Sequence, residues 1–147
     1  MPRIALPIYR GPNPVTAQIG YSLNASRILA RVALKTLSAW TSYGLGIVDT
    51  GATVSLFPAR MWRGADYRII GDVQVGGVIP LEACRVRAKL ARIPCVLSDG
   101  TTVLGPFSIH AYLAESDEVP LLLGVSDLIE NGTLLVSMAQ NTATFEC

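Results

Sequence analysis

The stretch Gly46-Ile47-Val48-Asp49-Thr50-Gly51-Ala52-Thr53-Val54-Ser55-Leu56 decides the reading of this chain. An apolar strand delivers a carboxylate directly into a tight Thr-Gly turn. Taking an aspartate out of water costs free energy unless its oxygens are paired or hydrogen-bonded. The Thr50 hydroxyl and the Gly51 N–H are the local partners on offer. A lone aspartate in such a place is most simply a turn residue that caps its own loop. What weighs against that plain reading is the company the motif keeps.

Outward from this stretch, the chain reads as short β-branched and aliphatic runs separated by turn residues. Residues 28–37, 44–48, 73–79, 83–93, 95–97, 101–104, 107–113, 121–123, 133–137 and 142–145 are expected strands, with 38–43 a loop. Ser98-Asp99-Gly100 predicts a hairpin turn. Residues 58–62 have room for a single helical turn. Ser126 is placed to cap a short helix over 127–131, with Gly132 as its stop. Gly11, Pro12, Asn13, Pro14 and Gly20 break up residues 1–26, which read as an extended arm followed by loops, leaving 27–147 as the domain proper. Many short strands with frequent turns predict an all-β barrel or sandwich. Its expected core includes Val48, Leu56, Leu122, Leu123, Leu128 and Leu134.

Composition narrows the function classes. Of 147 residues, half are hydrophobic and 16% are charged, the opposite of a disordered chain. Twelve basic and eleven acidic residues give a net charge of +1. The basic residues form no stripe with interleaved aromatics, so no nucleic-acid partner is expected. No apolar run has the length needed to span a bilayer, so no membrane association is expected. Residues 1–10 are short and proline-broken for a signal peptide. Cys84, Cys95 and Cys147 make an odd count without CxxC spacing, which argues against a disulfide framework or a zinc site and points to a reducing, cytoplasmic location. The sequons at Asn24 and Asn131 carry little weight without a secretion signal. His110, the sole histidine, has no G-x-S-x-G nucleophile context. Trp40, Trp62 and Phe57 read as packing residues, and Cys84 and Cys95 as small buried hydrophobes.

Asp49-Thr50-Gly51-Ala52, preceded by aliphatics, resembles the active-site loop of aspartic proteases of the retroviral, retropepsin-like type. Val75-Gly76-Gly77-Val78 resembles the tip of the flap hairpin that closes over substrate in that family. Leu121-Leu122-Leu123-Gly124 resembles the apolar-apolar-Gly strand that passes beside the catalytic loop. Residues 125–134 resemble the short helix, glycine stop and terminal strand that follow. The resemblance spans about residues 28–146 and implies a closed-barrel retropepsin-like fold with one short helix near the C-terminus.

The chain holds one such motif. Ser98-Asp99-Gly100 has the wrong order, and Asp66, Asp72, Asp117 and Asp127 lack a following Thr/Ser-Gly. One carboxylate cannot form a catalytic pair, so the resemblance implies a homodimer with Asp49 of each subunit meeting on the two-fold axis. It assigns Thr50 inter-subunit hydrogen bonds, Gly51 backbone contacts to substrate, and Gly76 and Gly77 flap contacts. Ala52 offers no hydroxyl to the carboxylate, which implies a working pH above that of gastric-type enzymes. Thr53 and Val125 depart from the family, which often has an acidic residue and an arginine there. Losing both together leaves no unpaired charge. In relatives both chain ends interleave in a shared sheet, which makes residues 4–8 and 142–145 candidates for one here. The implied activity is peptide-bond hydrolysis of an extended peptide or protein substrate, with no metal and no cofactor. A catalytically silent dimerisation or peptide-binding module, and a maturation protease that cuts only its own precursor, are the alternatives.

Overall fold

A computed structural model of the chain describes residues 1–76 and 85–147. Its strands are β1 (Arg3–Ala5), β2 (Ile8–Pro12), β3 (Asn24–Leu34), β4 (Gly44–Val48), β5 (Ser55–Phe57), β6 (Arg68–Val75), β7 (Val86–Ser98), β8 (Val103–Ala114), β9 (Leu122–Leu123), β10 (Thr133–Ser137) and β11 (Thr142–Glu146). Two four-residue helices, α1 (Pro14–Ala17) and α2 (Ala59–Trp62), and a 3₁₀ turn (Ile129–Asn131) are the helical elements among the described residues. The all-β expectation holds. No described helix is long and apolar enough to cross a membrane.

Hydrogen bonding runs β2–β3–β4–β9–β5–β8–β7–β6 through one large sheet, and β3 pairs with β7 as well. Arg31–Leu34 lie against Cys95–Ser98 in that extra pairing. The ladder from β3 round to β7 therefore returns on itself. Alternate residues of the long strands supply its apolar interior: Val32 and Leu34, Ala91, Ile93 and Cys95, Ile109, Ala111 and Leu113, all at or near zero exposure. Val48 and Leu134 pack against this core partly buried, while Leu123 and Leu128 lie within it. A second cluster of Leu56, Val86, Ala114 and Val119 is joined by Tyr112 and Leu122. A second, three-stranded sheet has the order β1–β11–β10.

Two expected breaks are not breaks. Pro94 does not divide β7, because at that position only its carbonyl is used, accepting from the Lys35 N–H. A proline lacks a donor but keeps its acceptor. Gly105-Pro106 does not divide β8; the register shift between Cys95 and Leu97 absorbs the extra residue as a bulge. The N-terminal stretch, expected as an extended arm followed by loops, is bound to the rest of the chain and holds a short helix. Ile4 is fully buried and Leu6 is 5% exposed, β1 pairs with β11 of the same chain, and Asn13 caps α1 by accepting from the Val15 and Thr16 N–H groups. Residues 142–145 therefore find their strand partners within their own chain.

The helix expected over 127–131 is a 3₁₀ turn of Ile129–Asn131, preceded by Asp127 at φ 62°. A left-handed residue there forbids a helix start at 127. Gly132 does end the turn, but in extended backbone. A Cβ at that position would run into the Glu146 carbonyl and the Phe145 ring, so close approach of β11 is what demands the glycine. The Ser98-Asp99-Gly100 turn forms as expected. Asp99 Oδ1 accepts from the Thr101 and Thr102 N–H groups at 2.9 and 2.8 Å, and Oδ2 from the Ala5 N–H at 3.1 Å. Donors from Thr102, Thr101 and Ala5 hold this carboxyl below its ordinary range.

Phe57 and Trp62 are buried, the Trp62 indole N–H donating to the Ala114 carbonyl at 2.7 Å. Trp40 is 38% exposed, with the Lys35 ammonium over its ring, so it is a surface residue and not a core one. Cys95 is buried as expected, and burial pushes its thiol up to about 12. Cys84 lies outside the described residues.

Candidate active site

Asp49 is the first residue beyond β4, and β9 fixes where it stands. β9 runs parallel to β4, pairing Ile47 with Leu122 and Val48 with Leu123. It runs antiparallel to β5, pairing Leu56 with Leu122. The loop 49–54 therefore leaves one strand and returns along another, with Leu122 and Leu123 wedged between them. The Asp49 N–H donates to the Leu123 carbonyl at 2.9 Å, extending the ladder to the carboxylate-bearing residue itself.

Within the loop, the Gly51 N–H donates to Asp49 Oδ1 at 2.9 Å, and the Ala52 N–H to the Asp49 carbonyl at 3.1 Å. Of the two local partners the sequence offers, the Gly51 amide is engaged, while Thr50 is exposed. Asp49 is half-buried. Among the described residues, Oδ1 is the Asp49 side-chain oxygen that has a hydrogen-bond partner.

The segment after β9 clamps the loop from the other side. The Val125 N–H donates to the Ala52 carbonyl at 2.9 Å and the Ser126 N–H to the Thr53 carbonyl at 2.8 Å. The Gly124 N–H donates to Ser55 Oγ at 2.9 Å, and Ser55 is fully buried. Thr53 and Val125, where the sequence lacks a charge pair, thus border a junction held by main-chain bonds.

Gly51 to Val54, Leu56, Val75, Gly76, Tyr112 and Leu122 line a cleft of about 320 Å³; Asp49 itself is not part of that lining. The structure thereby gathers the Asp49 loop, β9 and the end of β6 around one opening. Gly77 and Val78, expected at the flap tip, lie outside the described residues. A larger hollow of about 550 Å³, lined by Asp72, Gln74, Arg87, Lys89 and Glu115, contains none of the loop residues.

Sequence reasoning missed one pair beside this junction. Asp127 Oδ2 accepts from the His110 main-chain N–H at 3.0 Å and stands 2.7 Å from His110 Nδ1. A carboxylate only accepts, so Nδ1 carries the proton. These bonds, the main-chain one first, hold the Asp127 carboxyl below its ordinary range. Arg92 Nη1 lies 3.5 Å from His110 Nε2. The Asp127 N–H donates to Glu130 Oε1 at 2.6 Å, half of the reciprocal arrangement that an Asp-x-x-Glu spacing signals. That spacing is visible in the sequence. The partnership with His110, seventeen residues away, is not.

Among the described residues no group of three His, Cys, Asp or Glu side chains is placed to hold a metal ion. No protein-family model matches the chain, and no curated protein matches it.

Proposed function

We propose that the chain is one subunit of a homodimeric aspartic endopeptidase of the retropepsin-like type, with Asp49 as its catalytic carboxylate. In this reading the ring of strands from β3 round to β7 is the closed barrel of that family. The observation that carries it is the wedging of β9 between β4 and β5. That arrangement holds one Asp49 oxygen on the Gly51 N–H, and the residues that follow it in the loop, Gly51 to Val54, line a cleft together with Val75 and Gly76. A turn aspartate that merely capped its loop would need neither the inserted strand nor the cleft.

Two such carboxylates about 3 Å apart cannot both ionise cheaply, so the pair shares one proton and titrates as a unit. The ionised member takes a proton from a water held between them. The protonated member donates to the scissile carbonyl oxygen as the water attacks, and the tetrahedral intermediate forms without a covalent adduct. Val54, Leu56, Val75 and Leu122 in the lining of the cleft suit an extended peptide with apolar residues flanking the cut.

The test compares wild type with Asp49→Asn against a diverse peptide mixture, read by mass spectrometry across a range of pH. Wild type is expected to cleave and to be blocked by a statine-type mimic, whose hydroxyl replaces the shared water. Asp49→Asn is expected to fold and cleave nothing. A folded wild-type dimer that cuts no peptide at any pH would replace this reading with a silent binding module.

A further inference from the structure

We infer that the tip of the β2–β3 hairpin, residues 13–23 with the arginines at its base, docks into the surface of a bilayer carrying anionic headgroups. β2 and the first part of β3 form a two-stranded ribbon. Ile8–Pro12 pair with Asn24–Ile28, and β4 joins β3 only from Leu29 onward. From Tyr9 to Leu29 no residue is buried, so the ribbon and its tip stand outside the core. The tip is nevertheless apolar. Val15 is 65% exposed, Ile19 82%, Tyr21 63% and Leu23 48%. Apolar side chains scattered singly over a surface need no explanation, but a group of them on one short connection does.

Charge is arranged around the tip and kept out of it. From Gly11 to Ser26 the sequence has no Asp, Glu, Lys, Arg or His, and Arg10 and Arg27 bracket that stretch. Register sets Arg10 opposite Ser26 and Arg27 opposite Tyr9. Successive residues of a strand point to opposite faces, so one arginine borders each face of the ribbon. The Arg10 guanidinium donates to the Met138 carbonyl at 2.9 Å, a contact that leaves its charge unneutralised. Neither arginine has an acidic partner among the described residues. Tyr9 lies at the same level, its ring over Gly11. A basic and aromatic collar beneath an uncharged apolar tip is the pattern of an interfacial anchor on an anionic surface.

The backbone of the tip is also built to do without water. Asn13 Oδ1 accepts from the Val15 and Thr16 N–H groups at 2.9 and 3.2 Å. The other N–H groups from Asn13 to Tyr21 donate to the carbonyls of Asn13, Val15, Thr16, Ala17 and Leu23. Every N–H in that stretch is thus satisfied inside the tip, Pro14 having none to offer. A loop facing water can leave this task to the solvent, whereas a segment entering the acyl boundary finds none there. The lack of a bilayer-spanning run does not bear on such a tip, which lies in the interface and crosses nothing.

The test adds full-length protein to vesicles of phosphatidylcholine alone, or of phosphatidylcholine with phosphatidylserine, and reads binding by flotation. Wild type should float with the anionic vesicles, and added salt should weaken that binding. Ile19→Asn should weaken it by at least about tenfold, the scale of one aliphatic side chain taken out of water. Arg27→Gln should weaken it by about fivefold on the anionic vesicles, the scale of one basic residue near such a surface. Leu37→Asn, at a position 89% exposed elsewhere on the chain, should bind like wild type. Thermal melts of the three variants should match wild type, because each of these side chains is exposed. A wild type that floats with neither vesicle would overturn the inference and leave the tip to a protein partner. An Ile19→Asn chain that floats like wild type would overturn it too, the binding then being charge alone. Loss of wild-type self-association in Ile19→Asn, measured by sedimentation without vesicles, would assign the tip to a second copy instead.

Discussion

A methyl group at position 124 would sit 2.8 Å from the Val54 carbonyl carbon and 2.9 Å from the Ala52 oxygen. Both are main-chain atoms of the Asp49 loop, so neither can swing aside as a flexible side chain would. Gly124→Ala should therefore destabilise the chain by about 1–3 kcal/mol, the usual scale of overpacking. It should also push the loop off β9 and remove activity even in the fraction that folds. Ser55→Ala tests the same junction from the opposite direction. It creates no clash but leaves the Gly124 N–H without its 2.9 Å acceptor. An unsatisfied buried donor costs about 1–3 kcal/mol. Chemical denaturation of both variants checks the pair; wild-type stability in either would mean the loop is held elsewhere. The glycine and the aspartate stand out in the sequence by their motifs. Ser55 does not, because a serine at the end of an apolar run gives no sign that its hydroxyl serves a glycine 69 residues away.

Between elements, the His110–Asp127 contact ties β8 to the segment that clamps the loop. Asp127 titrates in the folded chain below the range of about 3.9 expected of an unfolded aspartate. A depressed carboxyl adds stability above the unfolded value, and that contribution drains away as pH falls through the folded one. Asp127→Asn lacks it at every pH. Wild type should thus be the more stable at neutral pH, and the gap should close as pH drops below about 4. Thermal melts of both proteins across that range supply the measurement; a gap constant with pH would show that the charge contributes nothing.

The same scale shows what was legible. Strands β4 and β10 fall where the hydrophobic runs place them, because each is bounded by turn residues that also bound it in space. β7 and β8 each look like two pieces in the sequence because Pro94 and Gly105-Pro106 resemble breaks, yet a proline breaks a strand only where its missing donor is needed. In the N-terminal stretch, residues 4–8 are legible as candidates for a sheet with 142–145, but the sequence does not tell that β1 takes β11 of its own chain as partner. Removing residues 1–6 strips two buried side chains worth about 1.5–3 kcal/mol each. It should lower the melting temperature of the subunit itself, not merely loosen its association. A truncated chain that melts like the full one would return these residues to the status of a dispensable arm.

For the whole molecule, the decisive quantity is protein concentration. The chain carries one Asp-Thr-Gly sequence, and under the proposed function a shared proton needs two carboxylates, so a monomer would hold half a site. Below the dimer dissociation constant the active species scales with the square of chain concentration, and the stability of such a site is inseparable from protomer concentration. A tenfold dilution in that regime should then lower specific activity about tenfold. Asp49→Asn added to wild type under exchanging conditions should poison activity, because each mixed dimer pairs one carboxylate with one amide that cannot share the proton. The loss should exceed simple dilution and approach the fraction of wild-type chains drawn into mixed pairs. An assay over a dilution series, with and without the variant, reads both effects against the dissociation constant from sedimentation. Constant specific activity far below that constant would mean that a single chain holds the whole catalytic apparatus, and the second carboxylate would have to be sought within it.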